Sequence, residues 1–414
     1  MRWFWIFVFV PALLSAQAAP KPLSALIAEA QHRNPGVRAA RYAWRAAQAA
    51  IAPAGALPDP QAMVQQMQIG RPLPFAGASS SDFAYTGVAV SQALPYPGKL
   101  KLQAASAAAT AAVRQAQWRQ MRRALTEQVE AAYDRLAYLR SALNVLARQN
   151  LMLAQAERLA EVGYRNARGP QAAVLSAQLE KTQLLRQQTT LQQQWDSQQA
   201  QLRALLDRPP QAPAIIPEIL RQTQPVNDGP ALSARLSAAD PALAAQQARI
   251  ARARRQAALA RKDFHPDFSA QFMYQRMGNG MGNAYQWTLG MSLPWFHRAT
   301  RQRPELERAL DEQLGARADL AQTAQQDRFQ LNDALLRAAS DAQILALDRQ
   351  GLLPQAAAAM QSALSAYAAG SEDFQSFLDA WRQDLALQQQ YWSTLADHEI
   401  QLSRVTALTG VPHD

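Results

Sequence analysis

The side chains best suited to bind or react are few in this chain, which has five histidines, ten methionines and no cysteine. Met63, Met67, Met273, Met277 and Met281 fall in two short stretches, and thioethers are soft donors suited to Cu(I) or Ag(I). The same residues serve equally well as flexible apolar filler. His265 and His297 flank opposite ends of one stretch that reads as a strand hairpin, so antiparallel pairing brings them to the same end. There they are candidates for a transient metal contact, or simply two imidazoles at an interface. Gly278-x-Gly280-x-Gly282 is glycine-rich, but it lies between two alternating stretches, opens no helix and lacks the following Lys-Ser/Thr of a phosphate loop, so it reads as a hairpin turn. No HExxH or paired-carboxylate pattern stands out. The chain therefore reads as a non-enzyme that needs no cofactor.

The elements around these residues start with an export signal. Met1-Arg2, an apolar run from Trp3 to Leu14 and Ser15-Ala16-Gln17-Ala18 make a charged start, a short apolar core and a cleavage site, so residues 1–18 are read as a signal peptide. With no later apolar window of about 18 residues, no transmembrane helix is expected. With no cysteine, neither a lipid anchor, a disulfide nor a thiolate metal site is expected. The net charge of +10 comes from basic residues spread singly among Gln and Ala, a solvated helix surface rather than a nucleic-acid stripe.

The chain repeats itself. Asn34-Pro35 and Pro60 stand at the same offset from Asp240-Pro241 and Pro266, and Ser91-Gln92-Ala93-Leu94-Pro95 recurs as Met291-Ser292-Leu293-Pro294 after a shorter loop. Tyr164 and Pro209 likewise match Tyr367 and Pro412. The organisation expected is a first repeat over 19–207, an irregular linker over 208–230 and a second repeat over 231–414. Each repeat runs helix, strand hairpin (61–94 and 267–293) and long helical hairpin (101–206 and 301–409).

The helices carry coiled-coil spacing: Leu125, Val129, Ala132, Leu136, Leu139, Leu143, Leu146, Asn150 and Leu153 step by four and three. Leu184, Gln188, Leu191 and Trp195 continue it, and so do Leu331, Leu335, Ala338, Ala342, Leu345, Arg349 and Leu352. About 60 residues from Lys101 to Glu161 lack Pro and Gly, a helix of order 90 Å. It should end where Gly163, Tyr164, Arg165, Gly169 and Pro170 place Gly at a helix stop and Pro at the next start. The matching turn is Gly370, Ser371, Glu372 and Asp373, with Ser371 the expected N-cap, and Pro354 should bend the preceding helix.

In the hairpins the period falls to two. Phe268, Ala270, Phe272 and Tyr274 alternate with Ser269, Gln271, Met273 and Gln275, and Tyr285, Trp287, Leu289 and Met291 alternate with Gln286, Thr288 and Gly290. Such strands suit an outer-membrane barrel, with lipid on one side and water on the other. Four strands cannot close, and an open edge cannot face lipid, so copies must join.

With these features on view, the chain resembles the TolC-like outer-membrane efflux proteins. The resemblance rests on Asn34-Pro35, Leu57-Pro58-Asp59-Pro60, Ser91 through Pro97-Gly98-Lys99, Leu353-Pro354-Gln355-Ala356 and the turn from Tyr367 to Ala380. It implies a mainly α fold with a small β part. Long antiparallel coiled-coil hairpins would form an α-barrel, and four strands per protomer would enter a trimeric twelve-stranded outer-membrane β-barrel. It also implies a homotrimer, a periplasmic adaptor docked at the hairpin tips and an inner-membrane pump, with metal ions or drugs as candidate cargo that the sequence does not choose between. In the family, acidic residues after the second turn project into the pore, which places Asp379 at one such position and Ser376, a departure, at the other. The alternative reading of Asp379 is an exposed carboxylate near a helix start. For the whole chain the alternative is a secreted periplasmic coiled-coil scaffold or adaptor with no pore, which explains the heptads but not two hairpins at matching places.

Overall fold

The computed structural model describes residues 22–68, 84–224, 229–278 and 281–411. The signal segment, most of the first hairpin loop and part of the linker lie outside these residues. Ten α-helices and four strands follow one order twice. In the first repeat, α1 (Leu23–Arg33), α2 (Pro35–Ala49) and α3 (Ile51–Gly55) lead to β1 (Gln61–Met67), β2 (Tyr85–Leu94), α4 (Lys99–Arg165) and α5 (Gln171–Leu205). In the second, α6 (Gly229–Ala239) and α7 (Pro241–Lys262) lead to β3 (Phe268–Met277), β4 (Asn283–Met291), α8 (Arg303–Leu347), α9 (Leu353–Ala369) and α10 (Phe374–Thr409). Each repeat breaks its first helix where a proline takes N1, and at α7 Asp240 caps by accepting from the Ala242 N–H. Between α8 and α9 the backbone widens to a π-helical stretch, Asp348–Leu352, just before Pro354, whose missing N–H cannot continue the α ladder.

The chain divides into two compact units, and neither is one repeat. Of the described residues, one takes those within 22–35, 123–232 and 330–411, the other those within 36–122 and 233–329. The first unit holds a helical core in which Leu139, Leu146 and Leu153 of α4 meet Leu184 and Leu191 of α5 and Phe377, Leu378 and Trp381 of α10. The apolar seam positions other than Leu352 agree with the spacing, but the polar ones slip by one residue. Asn150 is exposed while Gln149 is buried, where its side chain donates to Asp384 at 2.6 Å. Asp348 is buried instead of Arg349, and Leu352 and Gln188 face outward. An α-helix drifts against a strict seven-residue repeat, so a slip of one is the expected correction over many turns.

The linker has no regular structure over residues 206–224, yet it is fastened along its length. Arg208 forks onto Glu29, and Ile215 exchanges backbone bonds with the Gln199 side chain, donating at 3.0 Å and accepting at 2.6 Å. The Glu218 N–H donates to the Tyr133 hydroxyl at 2.8 Å. Thr223 donates its N–H and its hydroxyl to Glu399 at 2.8 and 2.7 Å, while its carbonyl faces His398 Nε2 at 3.1 Å. This segment is a strap, satisfying backbone groups that no ladder satisfies.

The second unit contains a four-stranded antiparallel sheet in the order β1-β2-β3-β4, with Val64 opposite Val88, Val90 opposite Phe272 and Phe272 opposite Trp287. The hairpins of the two repeats thus join through their inner strands. In the first hairpin β1 and β2 are seen over Gln61–Met67 and Tyr85–Leu94, and residues 69–83 between them lie outside the described residues.

Candidate channel wall and constriction

The two faces of the sheet are reversed relative to a soluble protein. Val64, Val88, Val90, Phe268, Tyr285, Trp287, Leu289 and Met291 lie on one face, and all are exposed, Trp287 to 74% and Leu289 to 84%. The rings of this face pack laterally: Phe272 meets Trp287 at 4.7 Å and Tyr274 meets Tyr285 at 5.6 Å between centroids. The opposite face holds Gln61, Gln65, Ser91, Gln271, Gln275, Gln286 and Thr288, with Met273 and Gln275 buried. There the Gln275 amide donates to Gln286 Oε1 at 3.2 Å. A sheet that turns aromatic and aliphatic residues outward and amides inward matches lipid outside and water inside.

The methionines fall on the polar face. Met63 and Met273 both pair with Ala89, and Met67 and Met277 both pair with Tyr85, so the four form two cross-strand rows. Met281 is exposed just past β3. His265 and His297 line one cavity of about 500 Å³ with Lys99, Asp263, Asp267, Arg301 and Glu305. The His265 ring stacks on Tyr96 at 4.4 Å, and among the described residues no three His, Cys, Asp or Glu side chains are set to hold a metal ion.

The tips differ from expectation in their chemistry. Gly163 lies inside α4, which runs on to Arg165, and the left-handed residue that turns the chain is Ala167, at φ 55°. Gly169 packs against the Gly163 backbone, and Pro170 starts α5. Tyr164 is half exposed. In the second repeat Gly370, at φ 77°, ends α9, and the Ser371 N–H and hydroxyl both donate to the Ala366 carbonyl, closing that helix. The N-cap of α10 is therefore Asp373, not Ser371. Asp373 accepts from the Ser376 N–H at 2.9 Å and the Ser376 hydroxyl at 2.6 Å, contacts that hold its carboxyl below the usual range. Glu372 is exposed beside it.

Asp379 and Ser376 stand one turn apart on the exposed face of α10. The Asp379 carboxylate accepts from Gln375 and from Arg382, both at 2.9 Å, and Arg382 also forks onto Glu180 of α5. The position is thus a charge chain, Asp379 to Arg382 to Glu180, rather than a bare carboxylate. The family model described as outer membrane efflux protein matches residues 232–411. That match falls within the second repeat.

The fold of an outer membrane efflux channel extends over nearly the whole chain. The structure of the outer-membrane channel OprN superposes with a TM-score of 0.82 at 19% identity, covering 94% of this chain and 89% of that one. The outer membrane protein VceC from Vibrio cholerae gives 0.80 at 20%, covering 94% and 96%. CusC, studied for its folding and transmembrane channel formation, gives 0.81 at 18%, covering 94% and 92%. No curated protein matches the sequence. Within this efflux-protein fold, sequence reasoning missed three groups of polar contacts: Glu180 with Arg382, Lys99 with Asp263 and Asp267, and the strap contacts of Glu399 and His398. Each pairs residues from distant parts of the chain, and no local pattern announces such pairs.

Proposed function

We propose that the chain is the protomer of an outer-membrane efflux channel, a passive conduit for solutes delivered by an energised pump. The observation that carries this reading is the outward apolar face of the β1–β4 sheet with amides on its other face. Copies join into a closed barrel, a homotrimer of twelve strands in keeping with the family fold, and no bond is made or broken during transport. The helical hairpins extend the conduit on the periplasmic side. The tips at Gly163 to Pro170 and Gly370 to Asp373 are the docking points for a periplasmic adaptor and, through it, an inner-membrane pump. Asp379, backed by Arg382, narrows the pore as a polar ring that shifts with salt, because Arg382 can exchange Asp379 for solvent ions.

The test is a matched pair of arginines. Trp287→Arg puts a charge on the outward face, where the cost in lipid is about 2–4 kcal/mol per site, so outer-membrane recovery should collapse. Thr288→Arg, one residue on and facing the other way, should insert normally and change ion selectivity in planar bilayers. Equal recovery of both variants, or wild-type protein that stays soluble and non-conducting, contradicts the proposal. The cargo is drugs or metal ions, and the methionine rows separate these. Replacing Met63, Met67, Met273 and Met277 by Leu should raise copper sensitivity if soft metal passes, and leave it unchanged if the thioethers only fill space.

A further inference from the structure

The sheet contains one finished joint between repeats and two unpaired edges, and the duplication relates them. Gln61 lies opposite Ser91 in the first hairpin, and Ser269 lies opposite Gly290 in the second. Laying Gln61 on Ser269 and Ser91 on Gly290 therefore superposes both ladders. The same fit carries Asp59 onto Asp267, Pro95 onto Pro294, Tyr96 onto Trp295 and Lys99 onto Arg298. The coincidence of the two prolines supports it independently, whereas matching Pro60 to Pro266 by sequence misses the ladder by two residues.

The finished joint, β2 against β3, is locked at one end. The Tyr96 N–H donates to Asp267 Oδ1 at 2.7 Å, and the Lys99 ammonium meets Asp267 Oδ2 at 2.8 Å and Asp263 at 2.9 Å. The counterparts of this lock stand apart on the two edges. Asp59 is exposed before β1, and Arg298 is exposed after β4 with its guanidinium over the Phe264 ring. Among the described residues neither forms an ion pair. The Trp295 N–H opens the 3₁₀ turn Pro294–His297, where it has no partner within the turn. The Asp263 position is taken by Gly55, so one carboxylate is offered where the finished joint has two.

We propose that β4 of one copy of this chain pairs antiparallel with β1 of a second copy, with Leu289 opposite Val64 and Met291 opposite Ala62, and that Arg298 and the Trp295 N–H clamp the neighbour's carboxylate at position 59. The register follows from the observed pairs Val90 with Phe272 and Gln92 with Ala270. It keeps Val64 and Leu289 on the apolar face and sets Gln65 opposite Thr288 on the polar one, whereas a slip of one residue would turn the apolar side inward. Neither edge strand contains the proline or lysine that guards an edge against pairing. The occupant is a second copy because opposite charges and continuing apolar faces stand on the two edges of the same sheet. The inference rests on the channel reading and adds its seam.

The chain has no cysteine, so the seam can be read by crosslinking the full-length protein in membranes. Directly opposed Cα atoms in an antiparallel pair are about 4.5–5.5 Å apart, within disulfide range. Gln65→Cys with Thr288→Cys should give covalent oligomers on oxidation, and Gln65→Cys with Gln286→Cys, two residues out of register, should give several-fold less. The reverse order overturns the register. Absence of links in both, with the protein still an oligomer that conducts, overturns the seam while leaving the channel reading intact; a soluble monomer overturns both. Asp59→Arg and Arg298→Asp should each lower the linked yield of the first pair several-fold, and together should restore it. A double variant no better than either single overturns the clamp.

Discussion

Single residues carry two kinds of consequence here, pinning and titration. Glu399 is buried and accepts both Thr223 donors, so Glu399→Ala should strand them and cost about 1–3 kcal/mol. Limited proteolysis should then cut the strap at 206–224 faster than in wild type. Burial pushes the Glu130 carboxyl from 4.5 up to about 7, opposed by the Ser403 hydroxyl and reinforced by Glu127. Asp134 is likewise raised by burial, with Glu399 and Glu130 adding repulsion, and in the other unit burial and Asp240 raise Asp327 to about 7. These groups stay protonated when folded but ionise in the unfolded chain above its ordinary carboxylate values. The folded state therefore has its full advantage below about pH 4.5 and loses it as pH rises towards about 7. Thermal melts should fall across that window, and Glu130→Gln should flatten the fall; a melt that rises with pH contradicts the assignment. None of this was legible in the sequence, because Glu130 and Asp134 look like any solvated helix carboxylates until α10 is seen to cover them.

At the level of elements, the periodicities were a good guide to what forms and a poorer guide to where it turns. Alternation in 267–293 gave both strands and their outward face, since the exposed residues are the aromatic set. Seven-residue spacing gave the long helices and their apolar seams but misplaced the polar members, because Gln149 and Asp348 are held inside by partners or by the π-helical break rather than by hydrophobicity. The turns between the paired helices fall where the sequence placed them but were capped wrongly, since Ser371 and Asp373 are both able to cap and only geometry chooses. The joint between β2 and α4 supplies a graded prediction. Asp267 meets both Lys99 and the Tyr96 N–H, whereas Asp263 meets Lys99 alone. Asp267→Ala should cost about 1–3 kcal/mol and Asp263→Ala about 0–1 kcal/mol, measured by unfolding in detergent. Equal losses would mean that the backbone bond contributes nothing.

On the scale of the whole molecule, each compact unit draws on both repeats, so the sequence boundary near residue 208 is not a structural boundary. Phe374, Phe377, Leu378 and Trp381 of α10 pack among α4 and α5, filling a core that the first repeat alone leaves open. A chain stopped at residue 369 should therefore fail to fold its first repeat as well, and circular dichroism with protease resistance would show this. A protected first-repeat fragment would contradict it. The interlacing also sets a timetable. A polypeptide made from its amino end cannot complete the unit that holds the helical core until α10 has been made. The earlier helices must wait meanwhile, with apolar stripes bare, in the care of whatever binds unfinished chains. Completion of that core is decided by the final helix to arrive.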